Sequence, residues 1–215
     1  MTALNAVIVS QTTESLLRIS DLIARGGVIA FRTDTFYGLG ADPFNRDAVQ
    51  RIKQLKGREE NKPILIVLSE RPAVTRFIVE RTAAFDRLAG RFWPGPLTLI
   101  GHALAELPAE ITAGTKTVGV RLPDDDRVRA LVRACGGALT ATSANPSNEK
   151  PARTAQEVFS YFGNEVDLIV DDGDAVTDQP STVVDVCDVE PRLIREGIIS
   201  WSTILELVKP DLGQI

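Results

Sequence analysis

Short apolar runs alternate with segments of helical period along most of the chain, and this alternation constrains the fold more than any other feature. Leu16, Ile19, Leu22 and Ile23 recur at helical spacing over residues 15–25, and Gly26-Gly27 ends that run. Residues 28–31 then read as a short buried strand. Val49, Ile52 and Leu55 form the inward face of an amphipathic helix over residues 47–56. The same patterns predict strands at 64–68, 97–100, 117–122, 138–142, 168–170, 182–186 and 192–195. Helices are expected at 72–77, 82–92, 127–135, 155–162 and 202–208. Interleaving of this kind predicts an α/β fold with a twisted mixed sheet flanked by helices. No repeat, long linker or low-complexity tract interrupts it, so residues 1–215 are expected to form a single domain.

Composition narrows the function classes. Lys and Arg number 24 against 29 Asp and Glu, a net charge of −5, which argues against bulk electrostatic grip on nucleic acid. At most a transient RNA contact survives that argument. No apolar window is long enough to span a membrane, and residues 1–17 lack the order of a secretory signal. Cys135 and Cys187 are far apart without a CxxC spacing, so two buried reduced thiols and a cytoplasmic location are expected. The single histidine, His102, follows an apolar stretch and reads as a strand-end residue. One histidine excludes HExxH and three-histidine metal sites, and no GxSxG elbow accompanies it. Neither a GxxxxGK[ST] loop nor a complete GxGxxG fingerprint occurs.

Four polar clusters stand at the ends of predicted strands, where α/β sheets place ligand sites. The first runs from Thr33-Asp34-Thr35 into a glycine-rich turn at Gly38-Leu39-Gly40; an ordinary strand–turn accounts for it equally well on local pattern. The second holds Arg51, Lys53, Lys56, Arg58 and Lys62, five cations against Glu59 and Glu60. A helix end accounts for Lys53 and Lys56, whereas Lys62 before an apolar strand points to a phosphate or carboxylate ligand. The third is Thr140-Ala141-Thr142-Ser143-Ala144-Asn145-Pro146. Ser143 and Asn145 face one way if the backbone stays extended; a plain turn is the alternative. The fourth comprises Arg121, Ser181-Thr182 and Arg195-Glu196-Gly197, each weak alone. The acidic residues Asp171, Asp172, Asp174 and Asp178 fit no calcium loop and read as a solvated loop.

In this order the clusters resemble the YrdC/Sua5 family, the threonylcarbamoyl-AMP synthases. TDTFYGLG, LKGR with NKP, FWPGPLT, VGVRLP, TSANPS, STVVD and IREG carry the likeness over residues 27–197. The resemblance implies a sheet with a large concave, positively charged cleft. It implies a nucleotidyl transfer joining L-threonine, bicarbonate and ATP, with Mg2+ bound to ATP, into threonylcarbamoyl-AMP and pyrophosphate. The product would pass to a downstream tRNA threonylcarbamoyl-transferase. Residue by residue, Lys56 and Arg58 match a KxR motif and Ser143 and Asn145 an SxN motif at the reaction centre. Threonine is implied at Thr35, Arg121, Ala141 and Ser181, and ATP at Arg58, Lys62, Thr117, Ser143 and Arg195. With no histidine or reactive cysteine implied in catalysis, the reaction would rest on positioning and charge stabilisation. The chain ends soon after IREG and is expected to be the compact form without an extra C-terminal domain.

Two positions depart from the family pattern: Arg32 stands where proline is usual, and Asn148 where glycine is usual. The second falls in a turn that asparagine tolerates at positive φ. YciO-like relatives typically lose KxR and SxN; both are intact here, which favours a working synthase. Two rival readings remain. One is an RNA-binding or ribosome-maturation factor, disfavoured by the net charge. The other is a carbamoyltransferase module of hydrogenase-maturation type, disfavoured by the chain length and by the lack of zinc-finger-like cysteines.

Overall fold

The computed structural model describes residues 7–57 and 62–208. Strand β1 (Val7–Ser10) leads into α1 (Thr13–Ala24), and β2 (Ile29–Arg32) and β3 (Tyr37–Gly40) form a hairpin before α2 (Arg46–Leu55). After β4 (Ile66–Leu68) and a 3-10 turn, α3 (Ala83–Phe92) precedes β5 (Leu97–His102), α4 (Ala109–Thr112) and β6 (Thr117–Arg121). Next come α5 (Asp126–Ala134), β7 (Ala138–Thr140), β8 (Thr142–Ser143), α6 (Ala155–Phe162) and β9 (Leu168–Asp171). Strands β10 (Thr182–Asp185) and β11 (Arg192–Arg195) precede the last described helix, α7 (Trp201–Val208).

The α/β class expected from the sequence is present, but in two mixed sheets. One orders its strands β1-β9-β2-β3-β8 and the other β11-β10-β5-β6-β4-β7. The single strand expected at 138–142 is the hinge between them. Thr140 and its neighbours pair with β4 in one sheet, while Thr142 and Ser143 pair with β3 in the other. At the crossing, the Ala141 amide donates to the Leu65 carbonyl and the Thr140 amide to that of Ala41.

Both faces of the smaller sheet bury apolar side chains, which explains why its strands read as apolar runs. Ile29, Phe31, Leu168 and Val170 pack with α1 and α5, whereas Val28, Ala30 and Ile169 face the larger core of α2, α3 and α6. Side-chain caps start the helices: Thr12, Asn45, Thr82, Asp125 and Thr154 each accept from an amide of the first turn.

The glycine-rich turn expected after β2 is instead the strand β3. A Cβ at Gly40 would lie 2.6 Å from Cε1 of Phe31, so glycine here permits close packing rather than a turn. Asn148 adopts φ 71°, the left-handed conformation anticipated for that position. The segment expected as a helix at 72–77 is the 3-10 turn Arg71–Arg76.

Candidate functional site at the junction of the two sheets

The hinge between the sheets builds the first part of the site. Beyond β8 the chain does not stay extended: the Asn145 amide closes a three-residue turn onto the Ser143 carbonyl at 2.9 Å. Ser143 and Asn145 therefore do not share a face by strand alternation. The Asn145 side chain is 6% exposed as part of this turn, and its Nδ2 donates to the carbonyls of Pro146 and Glu149, both at 2.8 Å. Those two acceptors fix the amide orientation and leave Oδ1 buried without a partner among the described residues. Asn145 can then only accept a further hydrogen bond.

Lys56 caps the C-terminus of α2 and is 2% exposed. Its Nζ donates to the carbonyls of Ser143 and Asn145, at 2.5 and 2.9 Å, and lies 3.4 Å from Ser143 Oγ. Its own carbonyl accepts the Ser147 amide. A buried ammonium is tolerated only when such acceptors surround it. Lys56 thus holds the Ser143–Asn145 turn in place. Arg58 lies outside the described residues. Lys62, exposed, precedes β4.

The second part is the turn between β2 and β3. Thr33 Oγ1 donates to the Phe36 carbonyl at 2.8 Å and lies 3.1 Å from Thr35 Oγ1. Arg121, at the end of β6 and 3% exposed, reaches this turn: Nη1 is 3.4 Å from Thr35 Oγ1 and Nε donates to the Gly95 carbonyl at 3.2 Å. Its Nη2 forms an ion pair with Asp34 Oδ2. The FWPGPLT and VGVRLP segments thus meet through Arg121.

The third part lies in the same row of the larger sheet. Val183 stands opposite both Arg195 and Thr98, and the β5–β6 register puts Thr98 beside Arg121. Directly paired residues share a face, so Arg195, Thr98 and Arg121 do too. Ser181 Oγ lies 3.0 Å from Thr98 Oγ1 and accepts from Arg195 Nη2 at 3.2 Å. Arg195 is surface-exposed as a residue, yet its guanidinium is tied to Ser181. Burial of that group, and the Arg121 charge beside it, hold its pKa below the ordinary arginine value. Two guanidiniums thus sense each other across this row, an arrangement that favours an anion. Gly197 locks the strand start: a Cβ there would lie 2.1 Å from the Pro180 carbonyl oxygen.

Thr117 opens the strand that Arg121 ends, four residues or about 13 Å away. It contacts Thr115 Oγ1 at 2.9 Å and belongs to the outer end of the row's face. Thr98 and Asp34 carried no role in the sequence reading, although both stand inside the quoted motifs.

Arg32 closes the border of the site. Only 10% of its side chain is exposed, and it pairs with Asp125 at 2.7 Å and Asp172 at 3.3 Å, while Arg127 also pairs with Asp172. Asp125 Oδ1 meanwhile caps α5. The acidic loop expected to be solvated is therefore partly an ion-paired strut. Cys135 and Cys187 are free and half-buried rather than buried; burial pushes both thiols up to about 12. Among the described residues no three His, Cys, Asp or Glu side chains gather into a metal-binding group. No helix among them is long and apolar enough to cross a membrane.

The Sua5/YciO/YrdC family model, described as "Telomere recombination", matches residues 21–197. The chain belongs to the Sua5/YciO/YrdC family. A relative in this family, the threonylcarbamoyl-AMP synthase of Thiobacillus denitrificans, is 38% identical over 164 residues, covering 76% of this chain and 87% of that protein. The Pyrococcus abyssi threonylcarbamoyl-AMP synthase is 34% identical over 193 residues, 90% of this chain but 56% of that protein. Among solved structures of the Sua5/YciO/YrdC family, P. abyssi Sua5 complexed with L-threonine superposes with a TM-score of 0.88 at 31% identity. That match covers 95% of this chain and 60% of the other. E. coli YciO, 24% identical, gives a TM-score of 0.80 over 95% of this chain and 100% of its own, and shares the fold. The chain thus spans just over half the length of its archaeal relative.

Proposed function

We propose that this chain is a threonylcarbamoyl-AMP synthase, joining L-threonine, bicarbonate and ATP into threonylcarbamoyl-AMP and pyrophosphate. The observation that carries the reading is the buried Arg121 guanidinium, set among Thr35, Thr98, Ser181 and a second arginine at the end of one row. A guanidinium fixed in orientation takes a carboxylate bidentately, and neighbouring hydroxyls suit a hydroxyl-bearing amino acid. Its likeness to a protein solved with L-threonine supports the same choice.

The chemistry asks little of the protein beyond positioning and charge. Bicarbonate loses hydroxide to give carbon dioxide, and the neutral threonine amine bonds to its carbon and gives up one proton, the hydroxide and proton leaving as water. The carbamate oxygen then attacks the α-phosphate of ATP as pyrophosphate leaves. No protein nucleophile is needed, and both thiols are held protonated at neutral pH. Arg195, Arg58 and Lys62 supply positive charge toward the nucleotide in a concave, cationic cleft, and Thr117 borders it. Ala141, the residue at which the chain changes sheets, offers close approach to backbone. Ser143 donates toward the carbamate or phosphate oxygens. Magnesium bound with the triphosphate would neutralise part of its charge, and the buried, acceptor-only Oδ1 of Asn145 would accept from a water held by such a cation. We place the enzyme in the cytoplasm. Its product there goes to a tRNA threonylcarbamoyl-transferase, and any contact of this chain with tRNA is transient.

Pyrophosphate release measured with each of the twenty amino acids, bicarbonate and ATP tests the reading. Threonine is expected to lead, serine to follow and valine to fail, since an unpaired buried hydroxyl partner costs about 1–3 kcal/mol. Valine turning over as well as threonine would refute the threonine assignment.

A further inference from the structure

Arg121 is not idle in the structure. Asp34 Oδ2 pairs with its Nη2, and the same oxygen accepts the Asp124 amide at 3.3 Å. The Asp34 side chain is nine-tenths buried, and its other oxygen, Oδ1, has no hydrogen-bond partner among the described residues. A buried carboxylate oxygen without a donor is costly, so such a group is expected to meet a donor in its working state. Beside it stand Arg121 and, within Coulombic reach of Arg121, Arg195. The set thus holds two cations and one carboxylate. An incoming carboxylate alone would meet repulsion from Asp34, whereas a zwitterion brings its own ammonium to offset it.

We propose that Asp34 recognises the α-ammonium of the amino-acid substrate. In this exchange the substrate carboxylate takes up Arg121, and Asp34, released from that ion pair, accepts the ammonium N–H through Oδ1 while the Asp124 amide keeps its backbone side tethered. Asp34 thereby selects amino acids over hydroxy acids of the same shape. This rests on the amino-acid reading of the site given above and adds the group that reads the amine.

The test compares two ligands on the parent and on Asp34→Asn by titration calorimetry: L-threonine, and (3R)-3-hydroxybutyrate, which is threonine without its amine. The asparagine is isosteric and removes the charge. Threonine affinity is expected to fall at least tenfold, because a charge-assisted hydrogen bond is lost. Hydroxybutyrate is expected to bind the variant as tightly as the parent, or more tightly, because the competing carboxylate at Arg121 is gone. Equal weakening of both ligands would make Asp34 structural and overturn the proposal, as would unchanged threonine affinity. Thermal melting checks the variant fold; Asp34→Ser carries the same expectation where the asparagine variant does not fold. A parent that binds a different amino acid overturns the threonine reading alone, and the comparison then runs with that amino acid and its deaminated counterpart. A parent that binds none of the twenty overturns both.

Discussion

Replacing Lys56 with methionine separates a lysine that organises the backbone from one that contacts the nucleotide. Lys56 is 2% exposed, and its ammonium serves the Ser143 and Asn145 carbonyls. Methionine fills a similar volume but donates nothing, so two buried carbonyls lose a charged donor at roughly 1–3 kcal/mol each. Relief from burying the ammonium offsets part of this, leaving a net loss of about 2–4 kcal/mol. For a chain of this size about 2–4 °C accompanies each kcal/mol, so the melting temperature is expected to fall by about 5–15 °C. Threonine-dependent pyrophosphate release should fall at least tenfold with it, since the Ser143–Asn145 turn relaxes. Lys53→Ala, on the last turn of the same helix, is the control and should change either quantity little. Differential scanning calorimetry beside the pyrophosphate assay decides the matter. A Lys56→Met variant that melts with the parent while losing turnover would refute the backbone role and return Lys56 to the ligand.

Ser143→Ala should retain the parent's melting temperature and lose synthesis, whereas Asn145→Ala should also be destabilised by about 2 kcal/mol, because two carbonyls lose the Nδ2 donor; paired melts and assays show the split. Arg32→Leu leaves Asp125 and Asp172 without their shared partner and should cost about 3 kcal/mol in urea unfolding. Gly197→Ala should be strongly destabilising, because the added carbon meets a backbone oxygen 2.1 Å away, and it should weaken threonine binding by moving Ser181. Burial pushes both thiols up to about 12, above their unfolded values, so their contribution is intact below about pH 8.5 and is lost as pH rises toward 12. Native labelling by a disulfide reagent at pH 8 should accordingly be much slower than labelling in urea.

The elements with strong periodicity were legible in the sequence. The helix at 155–162 has the bounds of α6, and most predicted strands sit within two residues of their observed limits. What escaped was long-range. The run at 138–142 carries no local sign that it leaves one sheet for another; that division depends on Ala41 and Leu65, which are distant in sequence. Gly38-Leu39-Gly40 looked like a turn because its two glycines signal flexibility, while in the fold the Phe31 ring packs over Gly40 and the Thr142 backbone lies against Gly38. The strand Val7–Ser10 is short and was not read, since its parallel partner β9 is about 160 residues away. Motifs singled out Lys56, Arg121, Ser143, Asn145 and Ser181, but not the contacts each of them makes. Lys56 turning inward, Asn145 spending its donor, and Asp34 occupying Arg121 are properties of three-dimensional neighbours. Arg32 shows the same limit: its partners come from the α5 cap and the loop after β9.

The most direct test of the whole account is mass spectrometry of the reaction containing purified chain, L-threonine, bicarbonate and ATP with magnesium. The account predicts threonylcarbamoyl-AMP and pyrophosphate in equal amounts, with neither formed when threonine or bicarbonate is withheld. Pyrophosphate appearing without threonine, or no adenylate under the full mixture, would contradict it.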